Sequence, residues 1–441
     1  MPKTSYTPDQ FKPSAAQEIA RWLYSAILAV IIPLFMLFFI VVTTFTRTKT
    51  YGRRFPERFG VLPKSNKTGG ILLHCVSVGE VVAAEALVKT IRKQHPSMVF
   101  TITTTTPTGC ERVQQLFGND ININHYYLPY DLSLCMNPLF KTVQPDKLLI
   151  TEVELWPNFI HLAWKRRIPV FIVNARMTDS SCRAYGKIGT LFTPMLHKIT
   201  GICAQGQRDY NNYLKLGAKK QQLVLTNNIK FDQKLTQNEA EQVSQWQQKL
   251  ALNDRKVWLG GSTHDPEEQV LLDSYQALQV TFSNLLLILV PRHPNRFTKV
   301  ESLIQKRQLR YIKTSDNKAV TADTQVVLAD QIGILKSLYG VADVAFVGGS
   351  IATKGGHNAL EPALHGVPVI MGSHIFNNPV ICEALSDVGA LQFVTTSGEI
   401  RAVVEPLLSS PENAKKRGVA GQQVIHKNGG AIAKTLEILA L

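Results

Sequence analysis

The 441-residue chain has no CxxC pair, no HxxxH spacing and no G-x-x-x-x-G-K-[ST] run. The first absence matters because its six cysteines (Cys75, Cys110, Cys135, Cys182, Cys203 and Cys382) are scattered. That argues against a disulfide framework or a cysteine zinc site and fits a reducing compartment. The second leaves the histidines without a metal-ligand spacing on a helix. The third disfavours a P-loop ATPase. No low-complexity tract and no fixed-period repeat occurs, so a solenoid or a disordered chain is excluded. Acid is also short: 33 Asp and Glu face 48 Lys and Arg, a formal charge of +15. Such a balance points to anionic partners, whether nucleic acid, an acidic membrane surface or phosphorylated substrates. A nucleic-acid surface would interleave basic and aromatic residues, and the chain lacks that pattern.

What is present begins with a long uncharged run, WLYSAILAVIIPLFMLFFIVVTTFT, from Trp22 to Thr46. As a helix it can cross about 30 Å of hydrocarbon. A cleaved leader would be shorter and end in small residues, and neither feature is there. Arg47, Lys49, Arg53, Arg54 and Arg58 follow it, against Lys3, Lys12 and Arg21 before it. The positive-inside bias therefore places the main body in the cytoplasm. Pro33 leaves open a kinked span or a shallow interfacial helix, and a buried core helix is the plain alternative.

Beyond the basic stretch, short apolar runs alternate with helical segments. ILLHCVSV (71–78), VFTITTTT (99–106), KLLITEVEL (147–155) and PVFIVNAR (169–176) read as strands. A polar segment, 233–256, interrupts the pattern and reads as an amphipathic helix and a domain connection. The pattern restarts with VWLGGST (257–263), LLLILVPRHP (285–294), QVVLAD (325–330), VAFVGGS (344–350) and VPVIMG (367–372). Parallel sheets covered on both faces have this signature. The expected division is an anchor and flank (1–50), a first Rossmann-like domain (51–235), a linker (236–256) and a second Rossmann-like domain (257–441). In such sheets ligands bind beyond the carboxyl ends of the strands, which in a bilobal enzyme face a common cleft.

The polar motifs follow the strands. Ser77-Val78-Gly79-Glu80 opens a helix, where Glu80 is either a helix-capping carboxylate or a general base for an acceptor hydroxyl. TTTTPTG (103–109) is either a polar helix start or a sugar or phosphate contact. ITEVELWPN (150–158) is expected to place Glu152 and Glu154 on one face of an extended segment. Acid–base work, acceptor binding and orientation of a cation are all open to them. Lys230, in NIKFD (228–232), is either solvated or a neutraliser of phosphate charge.

In the second half, GGSTHDPEE (260–268) brings Ser262 and Thr263 after two glycines, with following amides able to hold a phosphate. PRHPNRF (291–297) presents Pro291, Arg292 and His293, and a planar guanidinium suits phosphate or base recognition. In FVGGSIATKGGHNALEP (346–362), Gly348, Gly349, Gly355 and Gly356 flank a loop. His357-Asn358-Ala359-Leu360-Glu361 is expected to open a helix whose carboxylate can hold ribose hydroxyls. His264, His293 and His357 read as hydrogen-bonding histidines and not as metal ligands.

Taken in order, the anchor, RRFPERFG (53–60), SVGE, TTTPTG, YLPYD (127–131), ELWPN, NAR (174–176), STH, LLLILVPRHP, FVGGS and GGHNALEP resemble the Kdo transferases. These enzymes attach 3-deoxy-D-manno-oct-2-ulosonic acid (Kdo) to the lipid A precursor. The resemblance implies a GT-B fold, CMP-Kdo as donor, lipid IVA as acceptor, and work on the cytoplasmic face of the bacterial inner membrane; no sequence feature demands a metal cofactor, because basic groups and amides can meet the phosphate charge. It implies that Glu80 is the base and that Glu152 and Lys230 stabilise the transition state. It places CMP on Pro291 and Arg292, on Asn358 to Glu361, and near Ile332-Gly333-Ile334. Members often carry an acid at the last of these positions, so with Ile334 that contact is backbone-mediated or weaker. Asn228 likewise departs from the small residue common before the lysine. The competing readings are another GT-B glycosyltransferase, a nucleotide-sugar epimerase on the same scaffold, and a membrane-tethered nucleotide-binding protein without catalysis.

Overall fold

The structure, a computed structural model, describes residues 6–46, 52–64, 67–252, 255–316 and 318–441. Arg47 and Lys49 of the expected basic flank lie outside the described residues. The chain divides into two compact units, Met1–Asp232 with Gly429–Leu441, and Gln233–Asn428.

The first unit holds a parallel sheet of β1 (Ile71–His74), β2 (Phe100–Thr104), β3 (Ile123–Tyr127), β4 (Lys147–Thr151), β5 (Val170–Ala175), β6 (Gly201–Ala204) and β7 (Leu223–Leu225). Their spatial order is β3-β2-β1-β4-β5-β6-β7. The strands at the centre are apolar on both faces because both faces are covered. Leu72, Leu148, Ile150 and Ile172 pack to one side with Phe140, Phe159 and Leu196. Ile71, Leu73, Leu149 and Val173 pack to the other with Val81, Leu87 and Ile91. Order of connection reverses between β1 and β4, so the loops after these two strands diverge and leave a crevice.

The second unit repeats the plan with β8 (Val257–Thr263), β9 (Leu286–Pro291), β10 (Tyr311–Lys313), β11 (Val326–Leu328), β12 (Val344–Val347), β13 (Val369–Met371) and β14 (Leu391–Phe393). Here the order is β10-β11-β9-β8-β12-β13-β14, all parallel, and the reversal falls between β8 and β12. Trp258, Leu287, Leu289, Phe346 and Ile370 form its core with the helix Glu267–Gln279.

Two boundaries differ from the sequence expectation. Residues 236–256 were expected to link the domains, but Gln237–Lys249 is a helix of the second unit with a capping box. Thr236 Oγ1 accepts from the Glu239 amide while Glu239 accepts from the Thr236 amide, which satisfies two donors at the helix start. Trp246 Nε1 then donates to Ser337 Oγ at 3.1 Å. The end of the chain, in turn, belongs to the first unit. Asp232 accepts from the amides of Gly430, Ala431 and Ile432, which fixes the start of the last helix, Ala431–Leu439. Leu436, Ile438 and Leu439 of that helix enter the first core.

The apolar run lies in one helix, Ala15–Thr46, with Pro33 inside it. Its Ala15–Leu34 portion is long and apolar enough to cross a membrane, with a mean hydropathy of 1.4. Ile19, Trp22, Leu23, Ile27, Val30, Ile31 and Leu34 are exposed on it. A buried core helix does not leave such a stripe open.

Candidate active site

In the first unit, the switch point between β1 and β4 carries the acids. Glu80 sits in the first turn of the helix Val78–Gln94 and is 9% exposed. Its carboxylate reaches back to accept from the Val76 amide at 2.8 Å and from Ser77 Oγ at 3.4 Å. The carboxylate therefore reaches back over the start of its own helix, next to the switch point. Thr151, the last residue of β4, places Oγ1 2.7 Å from Glu80 Oε2 and 2.8 Å from the His74 carbonyl. A hydroxyl has one proton to give. Both short contacts are satisfied together when Glu80 is protonated and donates to Thr151, while Thr151 donates to His74. Burial, opposed by the Val76 and Thr151 hydrogen bonds and reinforced by the charges of Glu152 and Glu154, raises the Glu80 carboxyl to about 7. The group is thus poised to take and release a proton near neutrality.

Glu152 and Glu154 were expected on one face of an extended segment. The strand instead ends at Thr151, and Glu152 turns with φ of 56°. The turn is pinned on both sides, the Glu152 amide donating to Val173 and the Glu152 carbonyl accepting from Arg176. Glu154 takes the Trp156 indole at 3.0 Å. Burial first, then the charge of Glu152, pushes the Glu154 carboxyl up.

Lys230 lies on the turn Ile229–Asp232, which packs against the Glu80 helix. Asn174, at φ of 51° on β5, takes the Ile229 amide on Oδ1 at 3.1 Å, and Asn228 takes the Lys230 amide at 3.0 Å. Among the described residues the buried Asn174 Nδ2 has no hydrogen-bond partner. Residue by residue, NAR and NIKFD therefore form one support for the lysine.

TTTTPTG turns out to be structural. Thr103 meets His74 Nδ1 at 3.0 Å, Thr104 meets His125 Nε2 at 2.9 Å, and Thr105 and Thr106 donate to the Val76 carbonyl. Thr106 also caps the helix Pro107–Phe117. RRFPERFG and YLPYD hold each other: Glu57 pairs with Arg54 and accepts from the Tyr127 amide, while the Arg58 guanidinium stacks 4.7 Å over Tyr130.

In the second unit, the loops after β8, β9 and β12 gather three imidazoles. His264 and His357 stack with their Nε2 atoms 2.9 Å apart, and His293 meets His264 edge-on. Burial, with Arg292 and neighbouring imidazoles adding to it, lowers His357 to about 4. Burial, followed by His293, Arg296, Lys354 and Arg292, does the same to His264. Both shifts favour neutral rings at pH 7, and the tautomers set which Nε2 donates to the other. Arg292 is exposed beside this pair. Its charge bears on both His357 and the Glu361 carboxyl, which burial pushes up.

The Gly-rich loop differs from the expected phosphate cradle in one respect. The buried Glu267 carboxylate takes the amides of Gly349, Ser350, Ile351 and Ala352, and that of His264. Gly356 and His357 donate to the carbonyls of Gly349 and Gly348. The amides of Gly349 and Gly356 are therefore spent inside the loop, and these glycines shape it. A Cβ on Gly348 would fall onto the Ser262 carbonyl, so the close approach of the β8 and β12 loops needs glycine there. Thr263 is fully buried and donates to Glu268, which Arg296 pairs with at 2.8 Å. Ser262 holds the turn at φ of 52°.

The helix expected at His357 begins only at Leu360 and ends at Leu364. Asn358 precedes it, with Oδ1 accepting from the Leu360 amide and Nδ2 donating to Glu361 at 3.4 Å. Ala359 and Leu360 are buried, so their side chains serve the core. Pro291 ends β9, and its neighbour Arg292 donates its amide to the Thr263 carbonyl. Ile332, Gly333 and Ile334 form a separate turn, Ile332 exposed and Gly333 at φ of 89°, leading into the helix Leu335–Tyr339. Among the described residues no group of three or more His, Cys, Asp or Glu is arranged to hold a metal ion.

Sequence reasoning gave no individual role to Glu267, Thr151, Asn174 or Asp131, although the motifs HDPEE, ITEVELWPN, NAR and YLPYD contain them.

Two seven-stranded parallel sheets, each with one reversal of strand order, give the chain a GT-B fold. Solved structures of that fold include a UDP-GlcNAc 2-epimerase from Neisseria meningitidis (TM-score 0.56, 14% identity, 85% of this chain and 100% of that one). Another is a glycosyltransferase from Rickettsia africae (TM-score 0.52, 15% identity, 85% of this chain and 98% of that one). The sequence is more particular. Residues 53–233 match the profile of a family described as 3-deoxy-D-manno-octulosonic-acid transferase. The Haemophilus influenzae 3-deoxy-D-manno-octulosonic acid transferase is 39% identical over 95% of this chain and 98% of its own length. That of Chlamydophila psittaci is 31% identical over 88% of each. The chain belongs to the 3-deoxy-D-manno-octulosonic acid transferase family, a family of glycosyltransferases.

Proposed function

We propose that the protein transfers Kdo from CMP-Kdo to a hydroxyl of the lipid A precursor lipid IVA, with inversion at the anomeric carbon. Glu80 accepts the proton of the acceptor hydroxyl as its oxygen attacks the ketose carbon. The bond from that carbon to the phosphate oxygen breaks, and CMP departs from the opposite face with the electron pair. The observation that carries this reading is the Glu80 carboxyl, buried, oriented by Val76 and Thr151, and raised to about 7. General-base help contributes about 10²–10⁴-fold to such a step. Lys230 and Glu152 stabilise charge at the reacting centre, and Arg292 neutralises the leaving phosphate. Asn358 and Glu361 hold CMP, with the 332–334 turn as a further contact; Ser262, Thr263, Gly349 and Gly356 shape that loop set. No metal cofactor is required, because basic side chains meet the developing phosphate charge.

The enzyme is read as bound to the cytoplasmic face of the inner membrane through the helix Ala15–Thr46, with the net charge of +15 favouring an anionic surface. Nucleic acid is not a partner. Purified protein incubated with CMP-Kdo and lipid IVA, in chelator, gives a product one or more Kdo units heavier by mass. Absence of such a product, or full activity of Glu80→Gln, ends the reading.

A further inference from the structure

YLPYD and ELWPN end in two residues, Asp131 and Asn158, that take no part in the chemistry above. Both are buried, and both meet the N-terminal helix. Arg21, only 7% exposed, donates Nη1 to Asn158 Oδ1 at 3.0 Å, and Tyr24 donates its hydroxyl to Asp131 Oδ2 at 3.0 Å. Ser25 Oγ takes Asn158 Nδ2 at 3.0 Å. Asp131 in turn receives the amides of Asn158 at 3.0 Å and Phe159 at 2.8 Å, capping the helix Pro157–Lys165. A second polar seat lies alongside, where Glu18 stands 3.9 Å from both His161 and Lys198. A tether needs none of this, and a buried guanidinium is expensive unless paired: Arg21 is held by Glu18 of its own helix at 2.7 Å and by Asn158 across the fold at 3.0 Å.

The segment between these contacts is 152–156. Its start is fixed where Thr151 meets Glu80, and its end is fixed where Asn158 and Phe159 meet Asp131. We propose that Arg21 and Tyr24 are positioning residues for the transfer reaction, holding through Asp131 and Asn158 the loop that presents Glu152 and Glu154 beside Glu80. The membrane helix is then part of the catalytic unit, and its docking sets the geometry of the site. This inference rests on the reading of Glu80 as the base.

The test uses full-length protein in detergent micelles, where membrane binding does not limit the rate. Tyr24→Phe removes one hydroxyl at constant shape, and Arg21→Met removes the charge at similar length. Both are expected to lower kcat about tenfold or more, since small misplacements near a reacting centre have such effects. The KM for CMP-Kdo and flotation with anionic vesicles stay as in the wild type. Glu80 is faced by Glu152, Glu154 and Cys75, by the Val76 amide and by the Ser77 and Thr151 hydroxyls. Loosening the two glutamates therefore moves the acid limb of the pH–rate profile to lower pH, which a general loss of stability does not do. Hydrogen exchange reads the clamp without reference to activity: the Asn158 and Phe159 amides exchange faster in both variants. Unchanged exchange, a wild-type kcat, or a lowered kcat with an unmoved acid limb overturns the proposal. An active Glu80→Gln would defeat the base assignment alone, with the exchange result still deciding the clamp.

Discussion

The two units apply one scaffold to opposite electrostatic ends. Each has a seven-stranded parallel sheet whose connection order reverses once, between β1 and β4 or between β8 and β12. At the first reversal stand Glu80 and Glu154, whose carboxyls burial and neighbouring acid charge push up, with Glu152 beside them. At the second stand His264 and His357, whose rings burial and neighbouring cations keep neutral, with His293 and Arg292 next to them. The strands that build the two crevices are interchangeable in kind. The few residues just past their carboxyl ends set the difference in charge, carboxyls at one and imidazoles with an arginine at the other.

The sharpest way to break this contrast is Glu80→Gln, which keeps the hydrogen-bond geometry and removes the base. Transfer is expected to fall about 10²–10⁴-fold, while CMP binding to the second unit, measured by calorimetry, stays unchanged. In the proposed reaction the base works as the carboxylate. With the Glu80 carboxyl raised to about 7, it is protonated and idle below that value, so kcat/KM climbs as pH rises through it. A pH profile flat from 5 to 8 would contradict the assignment.

Next in size is the cage around Glu267. Glu267→Ala leaves five buried amides without their acceptor, a loss of at least about 3 kcal/mol by the usual penalty for orphaned buried donors. The second unit should melt earlier and lose CMP affinity, with hydrogen exchange across the first unit unaltered. Arg292→Ala is milder, because the side chain is exposed: the KM for CMP-Kdo is expected to rise about tenfold, roughly 1.4 kcal/mol, and less in high salt. An equal effect on Glu80-dependent kcat would show that the arginine serves the chemistry and not the donor.

Much of this was legible beforehand, and the pattern of what was missed is physical. The central strands read as apolar runs because both faces of the sheet are covered. The unread strands were β3, β6, β7, β10 and β14, which lie toward the sheet margins; β10 is half-buried throughout and β7 and β14 bury one residue each. Glu80 stood out as a carboxylate after a strand at a Gly turn, open to helix capping or base work, and the structure adds its buried contact with Thr151. The turn at Glu152 was not, since nothing local forbids Glu from continuing a strand; the pairing of β4 with β5 sets where it stops. The glycine-rich loop advertised free amides, and only coordinates reveal that Glu267, some 80 residues earlier, consumes them.

The smallest test concerns the chain ends, where periodicity announces a helix but never its partner. Asp232, at the end of NIKFD, caps the last helix through three amides, so Gly429–Leu441 contributes to the first core although it follows the whole second unit. Loss of such a cap costs about 1 kcal/mol. If the last helix belongs with the first unit, Asp232→Ala lowers that unit's melting transition by about 2–4 °C and leaves the other in place. Exchange should quicken in Ala431–Leu439 and in its packing partner Val78–Gln94, the helix that bears Glu80. Quickening in 257–428 instead would return the chain end to the second unit and detach it from the acid site.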